Sequence, residues 1–187
     1  VGGVSQSATA AVAGSILAST IATALSVLIG LLAAIGISRY GNGGRATPLV
    51  ILSGRMFPPA AIAVPFVIIY SAINLIDTYV GLIAIYVAVT LPFSTWMLKS
   101  FVDDLPREIE EAAMVDGRSR LMAHLTVTIP LIRGGLFATT LFIFILNWSE
   151  FLFALVLAYS SISTIPVQLA KYVTATAGTL YGVQAAL

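Results

Sequence analysis

Four long apolar stretches, residues 11–37, 48–70, 79–101 and 131–157, restrict what this chain can fold into. At about 1.5 Å of rise per helical residue, each is long enough to cross a hydrocarbon core about 30 Å thick. Backbone groups inside lipid must be satisfied within their own segment, so each stretch is expected to form a transmembrane helix. A fifth apolar segment opens near Thr179 and runs to Leu187. Only 9% of the residues are charged and 59% are apolar, against roughly 25% charged in soluble domains. The expected fold is all-α, a polytopic transmembrane helical bundle in one domain over residues 1–187. The chain begins at Val1 and shows no basic start or cleavage site of a signal peptide, so it reads as the middle of a longer protein.

Basic residues set the orientation. With these spans Arg39, Arg45, Lys99, Arg107, Arg118, Arg120 and Arg133 share one side and Lys171 lies on the other, which places the first group in the cytoplasm. The near-neutral total of +1 argues against nucleic acid as a partner. Absence of cysteine removes disulfides, thiolate catalysis and thiolate metal sites. The glycine cluster Gly41 to Gly44 lacks the Gly-Lys-Ser/Thr ending of a phosphate-cradling loop, so no nucleotide is expected on this chain.

Small residues recur every four positions along the first stretch: Ala10, Gly14, Ala18, Ala22, Ser26, Gly30 and Ala34. Such a ridge lets helix backbones approach closely in lipid. Four residues overshoot a 3.6-residue turn by about 40°, so the ridge winds and a single neighbour can use only part of it.

Charge is concentrated between Lys99 and Arg133, which hold eleven of the seventeen charged side chains. Asp103 and Asp104 ahead of Pro106 suit a helix start near Leu105, and Glu108, Glu110 and Glu111 suit its positive end. Ile109, Ala112, Ala113 and Asp116 fall on one face, which the alanines keep shallow. Gly117 is placed to end that helix. Ser119 can cap a second one, with Leu121, Met122 and Leu125 on one side, ending before Pro130. Residues 103–130 are therefore expected to form a cytoplasmic helix-turn-helix.

Within that hairpin, Glu111-Ala112-Ala113, three residues, Gly117, nine residues, Val127, one residue and Ile129-Pro130 resemble the EAA loop of binding-protein-dependent ABC importer permeases, EAA-x3-G-x9-I-x-L-P. Val127 and Ile129 depart from that pattern and keep its apolar bulk. EEAAMVDG and NWSEFLFALVL (147–157), with RMFPPAAIAVP (55–65) and TIPVQLA (164–170), are similar to the carbohydrate-importer branch. Relative to that family the chain lacks the first transmembrane helix and most of the last.

The resemblance implies a type I importer fold and a coupling helix seated in a cleft of a cytoplasmic ATPase. It assigns Glu111 as salt-bridge partner of a basic residue there, Ala112 and Ala113 as the close-packed face, Gly117 as the turn, and Glu110 and Asp116 as flanking contacts. It also implies a second permease subunit, two ATPase subunits that carry ATP and Mg, and an extracytoplasmic solute-binding protein, with no cofactor on this chain. His124, without companion ligands, is expected to pack or bond at the ATPase surface.

Polar residues in the spans are candidates for a sugar path. Asn147, Trp148, Ser149 and Glu150 juxtapose amide, indole, hydroxyl and carboxylate, which suits the alternating CH and OH surfaces of a sugar. The alternative is structural, with Trp148 at an interface belt and Glu150 bonded to a neighbouring helix. Arg55, two turns into the second stretch, is a further path candidate, with snorkelling or gating as its other role. The loop from Tyr159 to Gly178 offers Gln168, Lys171 and Tyr172 to the binding protein. The expected function is that of an inner-membrane permease subunit importing a sugar or polyol. An ion-coupled transporter or channel is the alternative, weakened by the lack of paired intramembrane carboxylates. An enzyme would need a nucleophile with its base or a metal cluster, and neither is evident.

Overall fold

The computed structural model describes residues 8–41, 51, 53, 58–158 and 160–171. Among them there is no strand. The helices are α1 (Ala8–Tyr40), α2 (Pro59–Ala72), α3 (Tyr79–Asp103), α4 (Arg107–Val115), α5 (Arg120–Ala123), α6 (Ile129–Leu131), α7 (Arg133–Trp148), α8 (Leu152–Leu157) and α9 (Ile165–Lys171), with a π-helical turn, His124–Thr128, joining α5 to α6. Both α1 and α3 are long and apolar enough to cross a membrane, and the segment Arg120–Leu131 continues into α7 through a 74° bend.

Two expected spans are altered. In the second, Pro58 is extended (φ −59, ψ 126), and the helix that starts after it carries Pro65 in its interior, which cannot donate to the carbonyl four residues back. The fourth is broken, because α7 stops at Trp148 and α8 starts at Leu152. At the break the Ser149 hydroxyl donates back to Ile145 O at 2.8 Å. The Glu150 carboxylate accepts the N–H groups of Phe153 and Ala154, both at 3.1 Å. It therefore caps a new helix, where an uninterrupted one would have no free N–H to offer. The expected external loop is also partly helical, since α9 lies within it.

The chain divides into two compact units. The first takes α1 up to Thr23, α2, α3 up to Val89, and the chain from Phe144 onward. Its core packs Ala18 and Ala22 with Tyr70, Leu82, Tyr86 and Phe153. Beside those alanines Ser15, Ser19 and Thr23 are buried too. Ser15 Oγ accepts Ile165 N–H at 2.8 Å, and Thr23 Oγ1 accepts from Asn147 Nδ2 at 3.1 Å. The turn after α2 puts Asp77 in a left-handed conformation (φ 58). Its carboxylate accepts the Ser160 hydroxyl and the N–H groups of Ser160 (3.3 Å), Ser161 (2.5 Å) and Ile162 (3.2 Å). Burial alone would raise the Asp77 pKa, but these donors outweigh it and bring the group down to about 2.

The second unit takes α1 from Ala24, α3 from Thr90, and the chain on to Ile143. Leu31, Ala34 and Ile35 pack with Leu98, Val102 and Ile132, and Ser26 Oγ pairs with Thr90 Oγ1 at 2.8 Å. A Cβ at Gly30 would lie 2.5 Å from Ser94 Oγ. Of the small-residue ridge only Ala10 is exposed. Gly14, Ala18 and Ala22 serve the first unit while Ser26, Gly30 and Ala34 serve the second, as a winding ridge requires.

Candidate functional site

The charged hairpin lies wholly in the second unit. Its first helix starts later than the aspartates suggest, because Asp103 still belongs to α3. There the Asp103 carboxylate pairs with Lys99 one turn earlier and accepts the Ser38 hydroxyl at 2.5 Å. Pro106 takes the capping position instead, without a side-chain cap. The helix ends as its glycine predicts. Gly117 is left-handed (φ 88), Gly117 N–H reaches Met114 O at 3.0 Å and Arg118 N–H reaches Ala113 O at 3.1 Å, the closure of a Schellman turn.

Ser119 caps α5 by accepting Met122 N–H at 3.3 Å. The second helix does not stop before Pro130. Pro130 has no N–H for Thr126 O, and the chain widens into the π turn, in which Ile129 N–H reaches back to His124 O. Pro130 then falls in the first turn of α6, where no N–H is needed.

Inside the hairpin Glu110 is the organising group. Its Oε1 accepts Arg39 Nε and Thr128 Oγ1, both at 2.8 Å, and its Oε2 lies 3.7 Å from His124 Nδ1. The Arg39 and Glu110 side chains are only 6% and 8% exposed. Arg39 Nη2 also donates to Leu105 O at 3.1 Å, Arg107 Nη2 donates to Ser38 O at 2.7 Å, and Tyr40 OH bonds His124 Nε2 at 3.0 Å. Three consecutive residues at the end of α1, Ser38 to Tyr40, thus fasten the hairpin from both of its helices.

The expected docking face divides in two. Glu110 and Ala113 are buried, whereas Glu111, Ala112, Asp116 and Gly117 are exposed, as are Ile109 and Val115. His124 is turned inward, where Tyr40 and Thr128 hold it, so it is not part of the outer surface. No motif marks Arg39 and Tyr40 as hairpin anchors, although Arg39 ends an apolar run on the side where the charges gather.

The other expected residues that are described lie in the first unit. Asn147 is buried against Thr23 and Trp148 stacks on Phe144 with ring centres 5.8 Å apart. Ser149 and Glu150 make the helix break already described, with Glu150 bonded to the amides of Phe153 and Ala154 in the helix that follows it. Gln168 is 5% exposed, its Oε1 accepting the Ser163 hydroxyl at 3.2 Å. It is a buried bracing residue here, not the surface contact expected of it, because α9 folds it inward. Arg55, Tyr172 and the Lys171 side chain lie outside the described residues.

An all-helical chain with an acidic hairpin fastened between apolar helices has the fold of an importer membrane subunit. It superposes with a TM-score of 0.74 on a bacterial ABC transporter involved in importing the acidic polysaccharide alginate, at 22% identity over 95% of this chain and 62% of that one. Residues 26–187 match the family described as binding-protein-dependent transport system inner membrane component, and the chain belongs to it. It is 35% identical to the probable ABC transporter permease protein y4oR of Sinorhizobium fredii, over 88% of this chain and 57% of the relative. It is 36% identical to the trehalose/maltose transport system permease protein MalG of Thermococcus litoralis, over 84% and 58%. The chain thus spans a little over half the length of these relatives.

Proposed function

We propose that this chain is the membrane permease subunit of an ATP-driven ABC importer for a sugar or related polyol. It works with a second permease subunit, two cytoplasmic ATPase subunits that bind ATP and Mg, and an extracytoplasmic binding protein. The observation that carries the reading is the division of labour within α4. Glu110 locks the hairpin to α1 while Glu111, Ala112 and Asp116 are left on the outside for a docked protein. A fastened hairpin transmits movement of its partner to the helices; a loose one would absorb it. Turning an access equilibrium from 1:99 to 99:1 takes about 5.5 kcal/mol of differential binding, and such a load requires a stiff joint. The sugar class is supported by the trehalose/maltose relative.

The test is Glu111→Lys in the reconstituted complex. Reversing an interfacial charge removes one partner of a desolvated pair, a loss of about 2–5 kcal/mol, and ATP-driven uptake is expected to fall to background. Uptake at the wild-type rate, or uptake that needs a proton gradient and no ATP, would overturn the proposal.

A further inference from the structure

Two cavities of the second unit meet at Tyr40, Arg120 and His124. One, about 170 Å³, contains Arg39, Arg107, Glu110 and Glu111. The other, about 600 Å³, runs along α1 past Ile35 and Leu32 to Leu28, with Leu125 on its wall. The first is therefore charged and the second greasy, and Tyr40, Arg120 and His124 line both.

In the charged cavity Arg39 and Glu110 neutralise each other. Arg107 and Arg120 then face Glu111 alone, which leaves one positive charge in excess. Arg120 is exposed and forms no ion pair among the described residues. From Tyr40 to Leu28 is twelve residues, about 18 Å of helix rise, close to half of a hydrocarbon core about 30 Å thick. The apolar cavity thus reaches about as deep as one leaflet. Its wall is apolar apart from Tyr40, Arg120 and His124, and Leu28, Leu32 and Leu125 are exposed along it. A hydrocarbon chain laid along this wall from the charged end would stay within one leaflet.

We infer that this composite cleft holds one anionic phospholipid, its phosphodiester on Arg120 and one acyl chain in the groove beside Leu28, Leu32 and Leu125. The lipid would sit between the end of α1 and the second helix of the hairpin, reinforcing the joint that Arg39 and Glu110 make. The site stands on its own geometry and does not depend on the transport reading.

The test uses the full chain in its detergent-purified complex, titrated with phosphatidylglycerol or phosphatidylcholine and read by native mass spectrometry. Phosphatidylglycerol is expected to remain bound at this site and phosphatidylcholine to be lost. Arg120→Gln should weaken phosphatidylglycerol retention about fivefold, the effect of one basic residue on an anionic lipid. Leu32→Trp, which fills the groove without touching the charge, should weaken it as well. Retention unchanged in both variants, or equal retention of the two lipids, would overturn the inference. A photoreactive side chain at position 32 should label lipid; labelling of another polypeptide segment in its place would also overturn it.

Discussion

The two units satisfy their acidic side chains in opposite ways. In the second, Glu110 is met by the guanidinium of Arg39 and the hydroxyl of Thr128. In the first, Asp77 and Glu150 are met mainly by backbone N–H groups. A side-chain donor can be removed by a single substitution, which strands a buried charge. Backbone donors survive every substitution except proline, and taking away their acceptor leaves amides that water or a neighbouring carbonyl can serve. The hairpin end should therefore be brittle, and the capped turns of the first unit tolerant.

Arg39→Met gives the largest expected effect. Breaking a buried ion pair from one side costs about 3–5 kcal/mol, so the hairpin should become sensitive to protease and uptake should be lost. A hairpin as resistant as wild type would show that the pair is not what holds it. Gly30→Leu comes next, because its side chain must displace Ser94; overpacking of this kind costs about 1–3 kcal/mol, measurable as a lower Tm of the purified complex. An unchanged Tm would mean that the ridge is not a tight seam.

Glu150→Ala removes a helix cap, worth about 0.5–2 kcal/mol. Faster hydrogen exchange confined to the amides of Phe153 and Ala154 is expected, and a collapse of the whole unit would contradict the tolerance argued above. The smallest effect is the pH response of Asp77. Its folded pKa of about 2 lies below the ordinary 3.8, so its contribution is fully present above the ordinary value and disappears as pH falls through about 2. Protection of the Ser161 and Ile162 amides, compared with D77N at each pH, should exceed the variant's at about pH 5 and converge with it near pH 2.

Much of this architecture is written in spacing. The winding ridge of α1 needs only the mismatch between four residues and a helical turn, and the end of α4 needs only a glycine where the backbone must turn left-handed. What stayed illegible depends on distant segments. Glu110 and Glu111 are chemically identical neighbours, and only the approach of Arg39, 71 positions away, decides which of them faces inward. Likewise Glu150 looks like a carboxylate in a continuous span until two backbone amides claim it. Asp77 gave no signal at all, since its donors lie 83 to 85 positions away.

The π turn at His124–Thr128 has a further consequence for how this hairpin tolerates insertion and loss. A stretch wound with an extra residue holds Thr128 in phase with Glu110 although the count from Ser119 is one too many for regular winding. Excising one position ahead of Thr128 would return the stretch to regular winding with everything downstream still in phase, whereas adding a further position would rotate the downstream helix by about 100° and carry the Thr128 hydroxyl off the carboxylate. The π turn thus acts as a one-residue reserve at this joint, which absorbs a loss more readily than a gain.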